Sequence, residues 1–268
     1  MSLLRQPVKI LIFFLIVVTF LLISSITDLV VRDRKKKLIS FSRIASFYAK
    51  ISLKLLGVTV NLKNLDRYIG TNENYMIVSN HLSYLDIFVI YSVLPSVFVA
   101  NTELEGEFPL GAVTKYGGGV FVERRNRSRL LEDMNNISSV LDMGLNIVLF
   151  PEGTTSNGDG VMPFKTPFLK SAINSDTDVL PLCISYKKID GRDVNNENRA
   201  LVFYYGGIGF FEHFFRLVTI KNIEVDLEAL EEIEVDPKMT RKELSKLAYD
   251  KINSAYLKVW EGELENYL

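Results

Sequence analysis

A general base and a group able to orient it stand close together in one stretch of the chain, Asn80-His81-Leu82-Ser83-Tyr84-Leu85-Asp86. The stretch follows a strand-like run and leads into a helix-like one, where side chains project from the carboxyl end of a sheet. Five residues is a poor spacing for facing partners within a helix. Across a strand-to-helix turn, however, His81 can fold back onto a carboxylate in the first helical turn. A carboxylate placed there fixes the imidazole tautomer and stabilises the imidazolium formed when His81 takes a proton. This is a base with its orienter, the logic of a triad without a protein nucleophile. The same residues also suit a purely structural turn, with Asp86 facing the helix dipole.

Two further runs have chemical content. In Phe150-Pro151-Glu152-Gly153-Thr154-Thr155-Ser156-Asn157-Gly158 an apolar strand ends at a proline and passes into small and hydroxyl residues. Such a loop can offer backbone N–H groups to an oxyanion or a phosphate. Its Gly153 to Gly158 spacing imitates part of a nucleotide-binding loop, but Asp159 stands where that loop requires lysine, which excludes ATP. In Gly118-Gly119-Val120-Phe121-Val122-Glu123-Arg124-Arg125-Asn126-Arg127, three arginines follow a short strand. They can bracket an anionic headgroup by bidentate bonds or form an ordinary solvated charge run.

The elements that must position these runs are short. Strands are expected at 75–79, 97–100, 120–122, 146–150, 179–185, 201–205 and 219–225, and helices at 84–93, 128–143 and 209–215. The alternation predicts an α/β fold, a single mixed sheet flanked by helices. Thr240-Arg241-Lys242-Glu243 is a capping-box start. Leu244, Leu247, Ala248, Ile252, Ala255, Tyr256 and Val259 then form one apolar stripe of a closing helix.

Ahead of the sheet, Ile10 to Thr27 carries no charge and spans about 27 Å as a helix, near the thickness of a bilayer core. No convincing cleavage site follows, so an uncleaved hydrophobic helix over about 8–30 is favoured over a signal peptide. Eight basic residues against one acid then occupy Arg32 to Lys54. By the positive-inside tendency they place the rest of the chain on the cytoplasmic face. The stretch 38–56 reads as a basic amphipathic helix, with Phe41, Ile44, Ala45, Tyr48, Ile51 and Leu55 at helical spacing. It fits either the domain core or, favoured by the basic block, the membrane surface. The organisation expected is thus a membrane anchor over 1–56 and a catalytic domain over 57–268.

Composition narrows the function. The net charge of −1 gives no reason to expect a nucleic-acid partner. One cysteine, Cys183, and two histidines, His81 and His213, leave little for a disulfide framework or a metal centre. Cys183 reads as a small buried hydrophobe, and His213, inside Phe210 to Phe215, as part of an aromatic core or membrane stripe. Trp260 suits either an interfacial anchor or packing.

In this order and spacing the runs resemble the glycerolipid acyltransferase family typified by lysophosphatidic acid acyltransferase. Asn80, His81 and Asp86 match its Asn-His-x4-Asp block. Gly118, Val120, Phe121, Val122 and Arg124 match a second block, Phe150 through Thr154 match its Phe-Pro-Glu-Gly-Thr, and Val179-Leu180-Pro181-Leu182 looks like its proline-containing strand. The resemblance implies that His81 is the general base for an acceptor hydroxyl and that Asp86 orients it. It implies an acyl-CoA or acyl-carrier-protein thioester as donor and co-substrate, with no further cofactor and no metal. Arg124 would contact the acceptor phosphate. Glu152, Gly153 and Thr154 would shape the acceptor site, and Lys165 keeps a family-like cation. Two positions depart from the pattern. Thr155 stands where many members have arginine, and Asn101 where many have lysine. The expected acceptor is lysophosphatidic acid, giving phosphatidic acid. Thr155 motivates the alternative of another lysolipid, of the lyso-ornithine or lysophosphatidylcholine type. A membrane thioesterase or lipase is a different class, against which stands the lack of a Gly-x-Ser-x-Gly elbow. A non-catalytic lipid-binding protein is a third, and the His81–Asp86 pair argues against it.

Overall fold

The computed structural model describes residues 5–123 and 128–265, with side chains described from 6 to 258. Eight strands are present among these residues: β1 (Val58–Lys63), β2 (Met76–Ser79), β3 (Val97–Asn101), β4 (Val120–Val122), β5 (Ile147–Leu149), β6 (Val179–Ile189), β7 (Arg192–Asp193) and β8 (Ile223–Ala229). They form one mixed sheet in the order β1-β8-β6-β2-β5-β3-β4, with β7 paired to β6. From β4 to β6 all neighbours are parallel, whereas β8 runs antiparallel to β6. Parallel strands with helices on both faces are buried on both sides and read as unbroken apolar runs. Every residue of β2 and β5 is buried accordingly.

The helices are α1 (Arg5–Val30), α2 (Arg34–Leu56), α3 (Leu85–Val93), α4 (Leu110–Tyr116), α5 (Leu130–Asp142), α6 (Lys170–Asn174), α7 (Phe210–Thr219) and α8 (Arg241–Glu265). In α8, Leu244, Ala248, Ile252 and Tyr256 are buried as the stripe predicts, while Leu247 is exposed. The capping box forms: the Thr240 N–H donates to Glu243 and the Glu243 N–H to the Thr240 hydroxyl.

Helix α2, the second part of the anchor expected over 1–56, packs on α1, α3 and β1. Its inner face is largely small: Ser42, Ala45, Ser46, Ala49 and Ser52 are buried beside Phe41, Leu53 and Leu56. Small side chains let helices approach closely, and a search for large apolar residues passes over the serines. The strand expected at 201–205 is a 3-10 turn (Arg199–Leu201) followed by irregular chain. Val202 and Phe203 are buried, but the backbone is used elsewhere: Phe203 N–H donates to Arg199 and Tyr204 N–H to the Leu82 carbonyl. The strand expected at 219–225 starts at Ile223, because α7 continues to Thr219. The edge strand β1, four of whose six residues are polar or exposed, and the short α4 were not anticipated.

Candidate active site

Strand order explains why residues 71 positions apart meet. β2 and β5 are parallel neighbours with Val78 level with Leu149, and continuing that register sets His81 beside Glu152. On the other side of β2, β6 pairs Ser79 with Leu182. There the Asn80 side chain takes over from the ladder as the chain turns away. Its amide donates to the Ile184 carbonyl at 2.9 Å and its oxygen accepts the Ile184 N–H at 2.8 Å. An asparagine amide has a donor and an acceptor like a peptide, which is the property this position uses.

His81 Nδ1 lies 2.8 Å from Asp86 Oδ2. Asp86 is fully buried, and the same oxygen accepts the Leu82 and Ser83 N–H groups at 2.7 and 2.9 Å. The other oxygen accepts the Tyr186 hydroxyl at 2.7 Å. A carboxylate can only accept, so Nδ1 carries the proton and Nε2 keeps the lone pair. Burial raises the Tyr186 phenol well above its ordinary value, and the Asp86 charge beside it adds to the rise, so the hydroxyl stays a donor. The Phe150 ring stacks on the imidazole, with centroids 3.9 Å apart and planes 11° from parallel. Carboxylate and ring together set the position and the plane of His81.

The loop after β5 holds the turn after β2. Glu152, 2% exposed, accepts the His81 N–H at 2.7 Å through one oxygen and the Met162 N–H at 3.0 Å through the other. Burial pushes its carboxyl up to about 7, against the pull of those two N–H donors. The ionised form accepts strongly at both oxygens, whereas the neutral acid keeps one strong acceptor, its carbonyl oxygen, and a weaker one. Ser156 N–H donates to the His81 carbonyl at 2.9 Å, so His81 is held by its amide and its carbonyl. Gly153 turns the loop at φ +77°, a left-handed conformation that disfavours a side chain. Gly158, at φ +83°, lies where a Cβ would run into the Phe203 ring.

The expected substrate contacts therefore divide. Glu152 holds the turn that carries His81, being buried with both oxygens engaged. Thr154 is exposed on the loop. Gly153 and Lys165 line a cavity of about 540 Å³ together with Glu123, Phe150, Phe168 and Arg241. His81 is not in that lining; Phe150, stacked on it, connects the two. Arg124 lies outside the described residues. Thr155 directs its hydroxyl to the Tyr204 carbonyl. Among the described residues no group of three His, Cys, Asp or Glu side chains is placed to hold a metal ion. Cys183 is buried, with its thiol pushed up to about 12. His213 is fully buried, which lowers its pKa. The Trp260 side chain lies outside the description.

Sequence reading missed Tyr186 and Arg241. Tyr186 comes from β6, next to β2 in the sheet but 100 residues from Asp86, and no local spacing announces it. Arg241 was read only as part of a helix cap.

A model of the acyltransferase family matches residues 59–185. The chain is 32% identical over 211 residues to the lyso-ornithine lipid O-acyltransferase of Rhizobium meliloti (strain 1021), covering 76% of this chain and 71% of that one. It is 31% identical over 154 residues to the 1-acyl-sn-glycerol-3-phosphate acyltransferase of Neisseria gonorrhoeae, covering 57% and 58% respectively. Its fold is shared with the crystal structure of the 1-acyl-sn-glycerophosphate (LPA) acyltransferase PlsC from Thermotoga maritima. There the TM-score is 0.68 at 23% identity, over 97% of this chain and 98% of that one.

Proposed function

The chain belongs to the acyltransferase family, and we propose that it moves a fatty acyl group from an acyl-CoA or acyl-carrier-protein thioester to the hydroxyl of a lysolipid. The observation behind this reading is the His81 Nδ1–Asp86 bond, which leaves Nε2 as the basic nitrogen. Nε2 takes the hydroxyl proton as the oxygen attacks the thioester carbonyl. The imidazolium is stabilised by the Asp86 carboxylate, the C–O bond forms, the C–S bond breaks, and the thiol leaves with the proton. No acyl-enzyme is required.

Lysophosphatidic acid is the acceptor in the main reading, with Arg124 and Lys165 on its phosphate. A second acceptor class, lyso-ornithine lipid, is favoured by Thr155: its hydroxyl is committed to the Tyr204 carbonyl, and no guanidinium stands at that position. The test supplies the purified protein with a labelled thioester and a panel of lysolipids. Phosphatidic acid as the main product supports the first reading, and acylated ornithine lipid alone supports the second. Free fatty acid released regardless of acceptor would point to a thioesterase instead.

The same proposal includes a membrane seat. Gln6–Val30 is long and apolar enough to cross a membrane. Along one side, however, α1 is tied to the domain: Phe20 meets Tyr48, Asp28 pairs with Lys37, and buried Lys9 donates to the Ile220 carbonyl. A helix so attached fits one leaflet, with its free apolar side in lipid and the basic block at cytoplasmic headgroups.

A further inference from the structure

Helix α7 separates its side chains sharply. His213, Phe214, Leu217 and Val218 are buried, while Phe211 and Phe215, one turn apart, are 57% and 51% exposed. Beside this apolar row Glu212 and Arg216 pair across one turn, so the outer face carries no net charge. The row adjoins α1. Phe214 meets Phe13 of α1 with ring centroids 4.8 Å apart, and Lys9 of α1 donates to the carbonyl of Ile220, the residue capping α7. The two helices touch, and both leave apolar side chains outward.

The inner face of α7 reaches the catalytic turn. His213 Nε2 donates to the Phe203 carbonyl at 3.1 Å, so Nδ1, 3.0 Å from the Tyr84 oxygen, accepts that hydroxyl. Tyr84 lies between His81 and Asp86, and its ring packs on Phe210 and His213 at 5.2 and 5.4 Å. A displacement of α7 would therefore be felt where the proton is moved.

We propose that the outer face of α7 is a second bilayer-contacting surface, seated in the same lipid as α1. The inference rests on the membrane seat proposed above. Lipid is favoured over a protein partner for two reasons. The face adjoins a helix whose apolar side already calls for lipid. Two half-exposed phenylalanines also offer only roughly 150–270 Å², short of the about 800 Å² per partner of a stable protein interface.

The test uses the full chain on vesicles of phosphatidylethanolamine and phosphatidylglycerol. Nitroxide labels go on Phe211→Cys or Phe215→Cys, with Leu22→Cys on α1 as lipid control and Lys246→Cys on α8 as water control. Cys183 is buried with a raised pKa and does not compete for label. The expected result is oxygen accessibility above that of a nickel chelate at residues 211 and 215, as at 22 and unlike 246. Residue 22 in lipid with 211 and 215 in water would overturn the inference and leave the seat of α1 standing. All positions in water would remove both. Protection of 211 without vesicles, at the mass of two chains, would assign the face to a second copy and also overturn it. Kinetics give a separate readout. Phe211→Ser with Phe215→Ser should raise the apparent KM for a vesicle-borne acceptor about tenfold or more. Turnover of a dispersed short-chain acceptor should be unchanged; equal loss on both would count against lipid contact.

Discussion

Around Asp86 four donors converge on one buried carboxylate, all within 2.9 Å. Along α1 polar ties stand near the two ends, Lys9 to the Ile220 carbonyl and Asp28 to Lys37, and Leu11, Phe14, Leu15, Leu22, Leu29 and Val30 stand outward. The turn gets its geometry from directional bonds in a dry interior, where an unpaired group is expensive. The hairpin of α1 and α2 gets its shape from close contact on one side and leaves the other to its surroundings. Single-atom changes should therefore matter in the turn. On the hairpin, what matters is which face is changed.

The largest effect is expected at His81. Loss of a general base costs about 10²–10⁴ in rate, so His81→Ala should lower kcat by that factor with unfolding unchanged. Activity within threefold of wild type in a labelled-thioester assay would remove the proposed chemistry. Asp86→Asn is milder because the amide oxygen can still accept from Nδ1, Leu82 and Ser83 while its NH₂ faces the Tyr186 oxygen. The tautomer survives and the charge does not. A charge-assisted bond is worth about 1.5–3 kcal/mol, so kcat should fall about 10–100-fold with little change in KM. A collapse of the fold instead would mean that Asp86 serves the turn more than the imidazole.

The sequence allowed the His81–Asp86 pair to be read because both residues lie in one strand–turn–helix unit, where spacing limits the geometry. The sheet class followed from short apolar runs alternating with helical ones. Strand order was not legible, and with it went Tyr186 and the role of Glu152, which depend on β6 and β5 flanking β2. Nor does an apolar run such as Leu201 to Tyr205 state whether its peptide groups will join a ladder. Here Tyr204 N–H is taken by the Leu82 carbonyl. The run serves the turn that carries His81 and Asp86 instead of the sheet.

Glu152 tests how far polar wiring governs stability. Its folded-state pKa of about 7 lies above the ordinary 4.5, so folding favours the neutral carboxyl. That contribution is complete below pH 4.5 and is lost as pH rises to about 7, up to about 3 kcal/mol in all. Glu152→Gln, which does not titrate, should lack this decline. Urea midpoints followed from pH 4.5 to 8 would show it as converging curves. Parallel curves would mean that the Glu152 pKa is not shifted by folding.

The smallest changes in stability are expected on the hairpin, and their sign depends on the face. Ser46 is buried on the packed side of α2, so Ser46→Leu adds apolar volume where none fits and should cost about 1–3 kcal/mol. Leu22 on α1 is 59% exposed, so Leu22→Ser removes an apolar side chain and should move stability in detergent by less than about 0.5 kcal/mol. Its effect should instead appear as weaker sedimentation with vesicles. If Leu22→Ser lowered the melting temperature as much as Ser46→Leu, the outward side of α1 would be covered by protein. The hairpin would then be core on both faces, and its contrast with the Asp86 turn would be one of composition only.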